Sequence, residues 1–191
     1  ASVKNTQQIT KAMKMIAAVK LRKAQDQILA NRPYAHELIT VISKLAHHGS
    51  SYHHPLLAQK KGQRAHLIIV TSNRGLCGSY NGTITRCAEK FIDKMGQISK
   101  AFKVSFIGRK GCDYFKSRLQ PEWMGSFYEE ISAERSYDHA VKVANEAMEQ
   151  FIKGGLDYIY FIYNEFKSAI SQKVVVETLL PVTPVKTVSE T

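Results

Sequence analysis

The sequence holds little that would staple a fold covalently, anchor it in a bilayer or catalyse a reaction. Its three cysteines, Cys77, Cys87 and Cys112, are irregularly spaced and form no CxxC pair. A disulfide framework is therefore not expected, and free thiols are the default. No stretch reaches the ~18 consecutive apolar residues of a membrane span. The opening residues, ASVKNTQQITK, contain no apolar signal core and lead to no cleavage pattern, so an intracellular chain is expected. Acidic residues are also scarce. Sixteen Asp and Glu stand against 27 Lys and Arg in 191 residues, giving a formal charge of +11. Such a surplus implies an anionic partner, whether nucleic acid, a membrane surface or an acidic protein. It does not choose among them.

The surplus is concentrated in the first segment. Residues 1–32 carry Lys4, Lys11, Lys14, Lys20, Arg22, Lys23 and Arg32 against one acid, Asp26. Residues 1 to 46 read as one long helical region. Ile9, Met13, Ala17, Leu21, Ala24 and Ile28 recur at steps of four and three and draw one apolar stripe. Good helix formers fill Lys11–Ala30. Pro33 marks a kink or a restart, after which Leu38, Val41, Ile42 and Leu45 continue the spacing. A helix of this length, roughly 65 Å, exceeds a small domain, and its stripe calls for a partner helix.

A histidine-rich loop, HHGSSYHHP, follows and the pattern then changes. HLIIVT, residues 66–71, is a β-branched run typical of a strand buried on both faces. Residues 76–95 read as a helix, 103–107 as a strand, 112–118 as a short helix and 125–131 as a weaker strand. An amphipathic helix is expected over 133–153, with Ala140, Val143, Ala144, Ala147, Met148 and Phe151 on one face. Residues 157–163 and 173–180 are expected as closing strands, paired through the intervening stretch. Strands alternating with helices imply an α/β fold with an open, mostly parallel, Rossmann-like sheet. Three regions result: the helix and His-rich loop (1–57), the α/β domain (64–181) and a Pro- and Thr-rich end expected to be loose (182–191).

The most distinctive motif is TSNRGLCGSYN, residues 71–81, at the end of the first sheet strand. Ligands in open α/β sheets bind beyond the C-terminal strand ends, and a Gly-rich turn entering a helix can cradle phosphate. Gly75, Gly78 and Gly82 spell neither GxGxxG nor GxxxxGK[ST]. The favoured reading is a tight structural turn built on Arg74, Gly75 and Gly78. Cys77 lies where a thiolate is favoured, yet GLCGS misses the nucleophile-elbow pattern and no base can be assigned to it. His47, His48, His53 and His54 match no zinc spacing, so a solvated loop is the better reading. No catalytic residue, metal site or cofactor is expected, and the chain reads as an interaction module. A basic nucleic-acid-binding α/β module is the rival reading, supported by charge alone.

Two stretches carry a resemblance to a known family. SVKNTQQITKAMKMIAAVKLRKAQ (2–25) with RPYA (32–35) resembles the first shaft helix of ATP synthase gamma subunits. LIIVTSNRGLCGSYN (67–81) resembles that family's central signature, and IGRKG (107–111) and SAISQKVVVETLLP (168–181) follow in the family's order. The resemblance implies that the first helix is half of an antiparallel coiled coil inside a ring of alpha and beta subunits. It implies that the α/β domain contacts the epsilon subunit and the c-ring, and that nucleotide chemistry belongs to the beta subunits. The stripe Ile9, Ala17, Leu21, Ala24 and Ile28 would face the partner helix. Lys11, Met13, Lys14, Lys20, Arg22 and Lys23 would face acidic lever loops of the ring. The family's C-terminal helix and a few N-terminal residues are expected to be missing here, so self-association through the bare stripe is a further expectation. No chloroplast-type regulatory cysteine insertion is present. The expected location is the cytoplasmic face of a bacterial inner membrane, peripheral through the complex, with a mitochondrial inner membrane as the alternative.

Overall fold

A computed structural model describes residues 2–47, 54–129 and 136–183. Two compact units are distinguished. The first is the helix α1, Ser2–His47, whose 46 residues run through Pro33 without a restart. Proline removes one backbone donor from the ladder, and the flanking helix formers sustain the helix across it.

The second unit, within Gly49–Thr183, holds a five-stranded sheet. In chain order it contains β1 (Arg64–Val70), α2 (Tyr80–Ile98), β2 (Ala101–Ile107), α3 (Arg109–Phe115), β3 (Met124–Tyr128), α4 (Ser136–Ile152), β4 (Tyr158–Phe166) and β5 (Gln172–Leu180). The strand order is β3-β2-β1-β4-β5. The first four strands are parallel neighbours, and β5 returns antiparallel to β4. The open, mostly parallel α/β sheet expected from the sequence is therefore observed.

Burial explains the pattern of β1, where all five residues from Ala65 to Ile69 are buried. Leu67 and Ile69 pack on one face with Ile84, Ala88 and Ile92 of α2, Val104 and Phe106 of β2, and Phe115 of α3. Ile68 points to the other face, with Val143, Ala147 and Phe151 of α4 and Ile159 of β4. Two apolar faces need two helical layers, which is why this strand does not alternate.

Several boundaries differ from the sequence reading. The helix expected from residue 76 starts at Tyr80 because Leu76 and Gly78 both have φ of 59°, a left-handed conformation that interrupts a helix. The short helix expected at 112–118 lies at Arg109–Phe115, where polar groups of a neighbouring loop accept its first N–H bonds. The weak strand ends at Tyr128. Ala140 is exposed, whereas Val143, Ala147 and Phe151 are buried as expected. His48 and His53 lie outside the described residues.

Two polar groups are carried into the interior. Asp157, 2% exposed, accepts bonds from the Arg64 backbone N–H, Nε and Nη2, and the Arg64 guanidinium holds its carboxyl below the usual range. His66 is 7% exposed, and its Nε2 lies 2.7 Å from Ser105 Oγ. Its Nδ1 has no partner among the described residues. Burial, aided by Lys103, lowers its pKa to about 4.

Neutral His66 fits the folded interior, while the unfolded chain binds a proton near pH 6.5. The folded-state value is the depressed one, so stability is fully present above pH 6.5 and declines as pH falls toward 4. The loss reaches on the order of 3 kcal/mol. Urea unfolding at pH 7 and pH 4.5 is expected to show this decline, and a His66→Gln variant is expected to show a shallower one.

Candidate functional site

The Thr71–Asn81 turn leaves the C-terminal end of β1, where an open α/β sheet places its ligand crevice. In this fold the backbone donors at the start of α3 are already used. Helix α3 begins with three N–H groups that three consecutive residues of the turn satisfy. Arg109 N donates to Asn73 Oδ1 at 2.8 Å, Lys110 N to Ser72 O at 3.0 Å and Gly111 N to Thr71 Oγ1 at 2.8 Å. Thr, Ser and Asn at the head of the motif thus act as a cap supplied by a neighbouring segment. Gly108, which precedes α3, has φ of 94°, and a Cβ there would collide with the Thr71 carbonyl.

The same turn is tied to α2. Asn81 Oδ1 accepts from Ser72 N at 3.1 Å, and Asn81 Nδ2 donates to Ser72 Oγ at 2.9 Å and approaches Cys77 Sγ at 3.1 Å. Ser72 Oγ donates to Arg74 O at 2.6 Å. The closed network holds the middle of the turn in an unusual shape. Gly78 takes its left-handed φ without penalty, whereas Leu76 takes the same φ with a full side chain, 97% exposed. Arg74, Gly75 and Gly78 lie on the exposed outer part of this turn. Cys77 is exposed and contacts Asn81, with no His or Asp hydrogen-bonded to it among the described residues. No group of three His, Cys, Asp or Glu side chains suited to a metal occurs among the described residues.

Beside the turn runs a cleft of about 650 Å³, lined by Cys77, Ser79, Tyr80 and Thr83 on one side and by Asn164, Ile170 and Val174 on the other. Ile170, in the β4–β5 connection, is 99% exposed.

Helix α1 presents the second candidate surface. Ile9, Met13, Ala17, Leu21 and Ala24 are exposed and Ile28 is half-buried. Met13 is 52% exposed. At about 100° per residue, Lys11, Lys14 and Arg22 all project to the side opposite Ile9. Lys20 and Lys23 project on the Ile9 side, so the cations wind around the helix instead of forming a single face. Periodicity marked the apolar stripe, but it did not separate these lysines from it. No helix among the described residues is long and apolar enough to cross a membrane.

Loss of the turn's internal bonds is expected to register as instability. Asn81→Ala leaves the Ser72 N–H without its acceptor, at a cost of about 1–3 kcal/mol. Thermal unfolding of that variant against Asn81→Asp, which keeps the acceptor, tests the assignment.

Known proteins with similar sequences and structures supply the remaining observations. The family model described as ATP synthase matches residues 1–191. An ATP synthase gamma chain of Geobacter sp. (strain M21) is 42% identical over 184 residues, covering 96% of this chain and 63% of that protein. One from Anaeromyxobacter dehalogenans (strain 2CP-C) is 43% identical over 184 residues, with 95% and 63% covered. The chain thus spans about 63% of the length of these curated relatives. Among solved structures, a chain of the Tetrahymena thermophila mitochondrial ATP synthase central stalk and c-ring matches at TM-score 0.73 and 30% identity, covering 91% of this chain and 72% of that one. A Euglena gracilis mitochondrial ATP synthase chain, with TM-score 0.51 and 18% identity over 82% of this chain and 55% of that one, shares the fold.

Proposed function

The chain belongs to the ATP synthase gamma-chain family, and from that premise we propose that it forms part of a rotary central stalk. In this reading it is a non-catalytic coupling element of the ion-transporting ATPase, peripheral to the membrane through the complex. Ion flow through a membrane ring turns the stalk, and the turning opens and closes nucleotide sites on beta subunits. The observation that carries the reading is α1, a 46-residue helix with an exposed apolar stripe and a seven-to-one excess of cations over acids in residues 1–32.

Each half of that observation has a job. Ile9, Ala17, Leu21, Ala24 and Ile28 pack against a second shaft helix, since an exposed stripe of this period is buried most readily by another helix. Lys11, Met13, Lys14, Lys20, Arg22 and Lys23 meet the acidic inner surface of a ring of alpha and beta subunits. Cations spread over several azimuths suit a rotating part, because no single deep contact must be broken at each step. Exposed ion pairs are individually weak, about 0–1 kcal/mol, and are screened by salt. The α/β domain contacts the epsilon subunit and the c-ring.

The turn at residues 71–81 takes no part in nucleotide binding in this reading, because its glycines match no phosphate-binding pattern and the N-terminus of α3 serves internal bonds. Nothing in the motifs favours the nucleic-acid alternative beyond the net charge.

Binding of the chain to a purified ring of alpha and beta subunits is the direct test. Affinity is expected to fall as salt rises from about 50 to 500 mM, and a Lys11→Glu/Lys14→Glu variant to bind about tenfold more weakly. Met13→Lys in the assembled enzyme is expected to add an attraction to the ring and to lower ATP synthesis per ion transported. Ring affinity indifferent to both salt and charge reversal, together with salt-sensitive binding to duplex DNA, would favour the nucleic-acid reading.

A further inference from the structure

We propose that residues 54–64 form a strap that diverts tension arriving along the chain from α1 into the α4–β4 junction and the end of β5, so that the central strand β1 is loaded last. On the stalk reading a turning α1 pulls on the chain that joins it to the sheet unit, and that chain reaches β1 only through residues 54–63.

A free connection would pass such a pull straight to the N-terminal end of β1. Apart from the short turn Pro55–Leu57, residues 58–63 belong to no helix or strand. They are nonetheless fastened, at positions 56, 60 and 64. Val182 N, just beyond β5, donates to Leu56 O at 2.9 Å, and both side chains pack against the cluster that holds Phe151, Leu156 and Leu180. Lys60 Nζ donates to Phe151 O and, at 2.8 Å, to Leu156 O, and it lies 3.7 Å from the centre of the Phe151 ring. Tyr158 Oη donates to Lys60 O at 3.0 Å. Arg64 closes the series with its three bonds to Asp157. At Gly62 the strap lies so close to that carboxylate that a Cβ would collide with Asp157 Oδ2.

The bonded partners of Leu56 and Lys60 lie at Val182 and within residues 151–158, all outside β1. A pull arriving at residue 54 is therefore taken up beside β5, then at the end of α4 and the start of β4. Only what remains passes through Gln63 and Arg64 to the centre of the sheet. Lys60 shows that attachment matters at this point. An apolar side chain would cover the Phe151 ring without desolvating an amine, and burial lowers the pKa of Lys60. What lysine adds is a charged donor to two carbonyls beside a helix C-terminus, a strong bond in a favourable field. Such bonds break and re-form without disturbing the core. Slippage of β1 by one residue would instead turn its side chains to the opposite faces.

Force spectroscopy on the chain tests this path. One handle is fixed at Lys90, exposed on α2, and the pull is applied either at Lys44 in α1 or at Gln63, beyond the strap, all through non-natural side chains. Lys60→Met keeps the stem over Phe151 and loses both donated bonds; Tyr158→Phe removes one hydroxyl and serves alone if the first variant does not fold. Pulled from Lys44, each variant is expected to yield about five- to tenfold faster at constant force, the kinetic equivalent of one hydrogen bond. Pulled from Gln63, each is expected to match the parent chain, because the strap is then outside the loaded path. Equal acceleration from both points overturns the strap in favour of a general weakening of the fold, and no acceleration from Lys44 overturns it outright. Failure of the parent chain to bind the alpha–beta ring overturns the stalk reading alone, since neither pulling geometry involves the ring.

Discussion

Everything in the sheet unit follows from the burial of β1 on both faces. A central parallel strand has no solvent side, so its residues from Ala65 to Ile69 must be apolar or small, apart from His66 with its hydroxyl partner. Two buried faces require α2 and α3 on one side and α4 on the other. Polar chemistry is then displaced to the strand ends. At the N-terminal end Asp157 fastens Arg64, and at the C-terminal end the Thr71–Asn81 turn opens onto solvent. The layout resembles that of nucleotide-binding α/β proteins, yet the turn spends its polar groups on holding α3 and α2.

That distinction explains what could be read from sequence. The absence of a phosphate-binding glycine pattern weighed against the familiar ligand, and the doubly buried run identified β1. The purpose of Thr71, Ser72 and Asn73 was not legible, because their partners are the N–H groups of residues 109–111, nearly forty positions away. Local pattern records what a residue does to its neighbours in the chain and carries little about a cap supplied across the sheet. The start of α2 was misplaced for a related reason. Leucine and cysteine are acceptable in a helix, and only the bonds of Ser72 and Asn81 impose the left-handed backbone that delays it.

On α1 the apolar period was easily seen because a long helix repeats its signal many times. The positions of individual lysines were less legible. A count of charges in residues 1–32 shows an excess but not an azimuth, and the helix distributes Lys11, Arg22, Lys20 and Lys23 around its circumference.

Pro33 adds a mechanical consequence. Lacking an N–H, it leaves the carbonyl of Leu29 without its intrahelical donor. A helix resists bending and twisting through its ladder of hydrogen bonds, so removing one rung concentrates compliance at that level. The rod divides there into a longer stretch, residues 2–32, and a shorter one, residues 34–47. Under an applied couple both stretches twist, and the compliance per residue is greatest around Pro33.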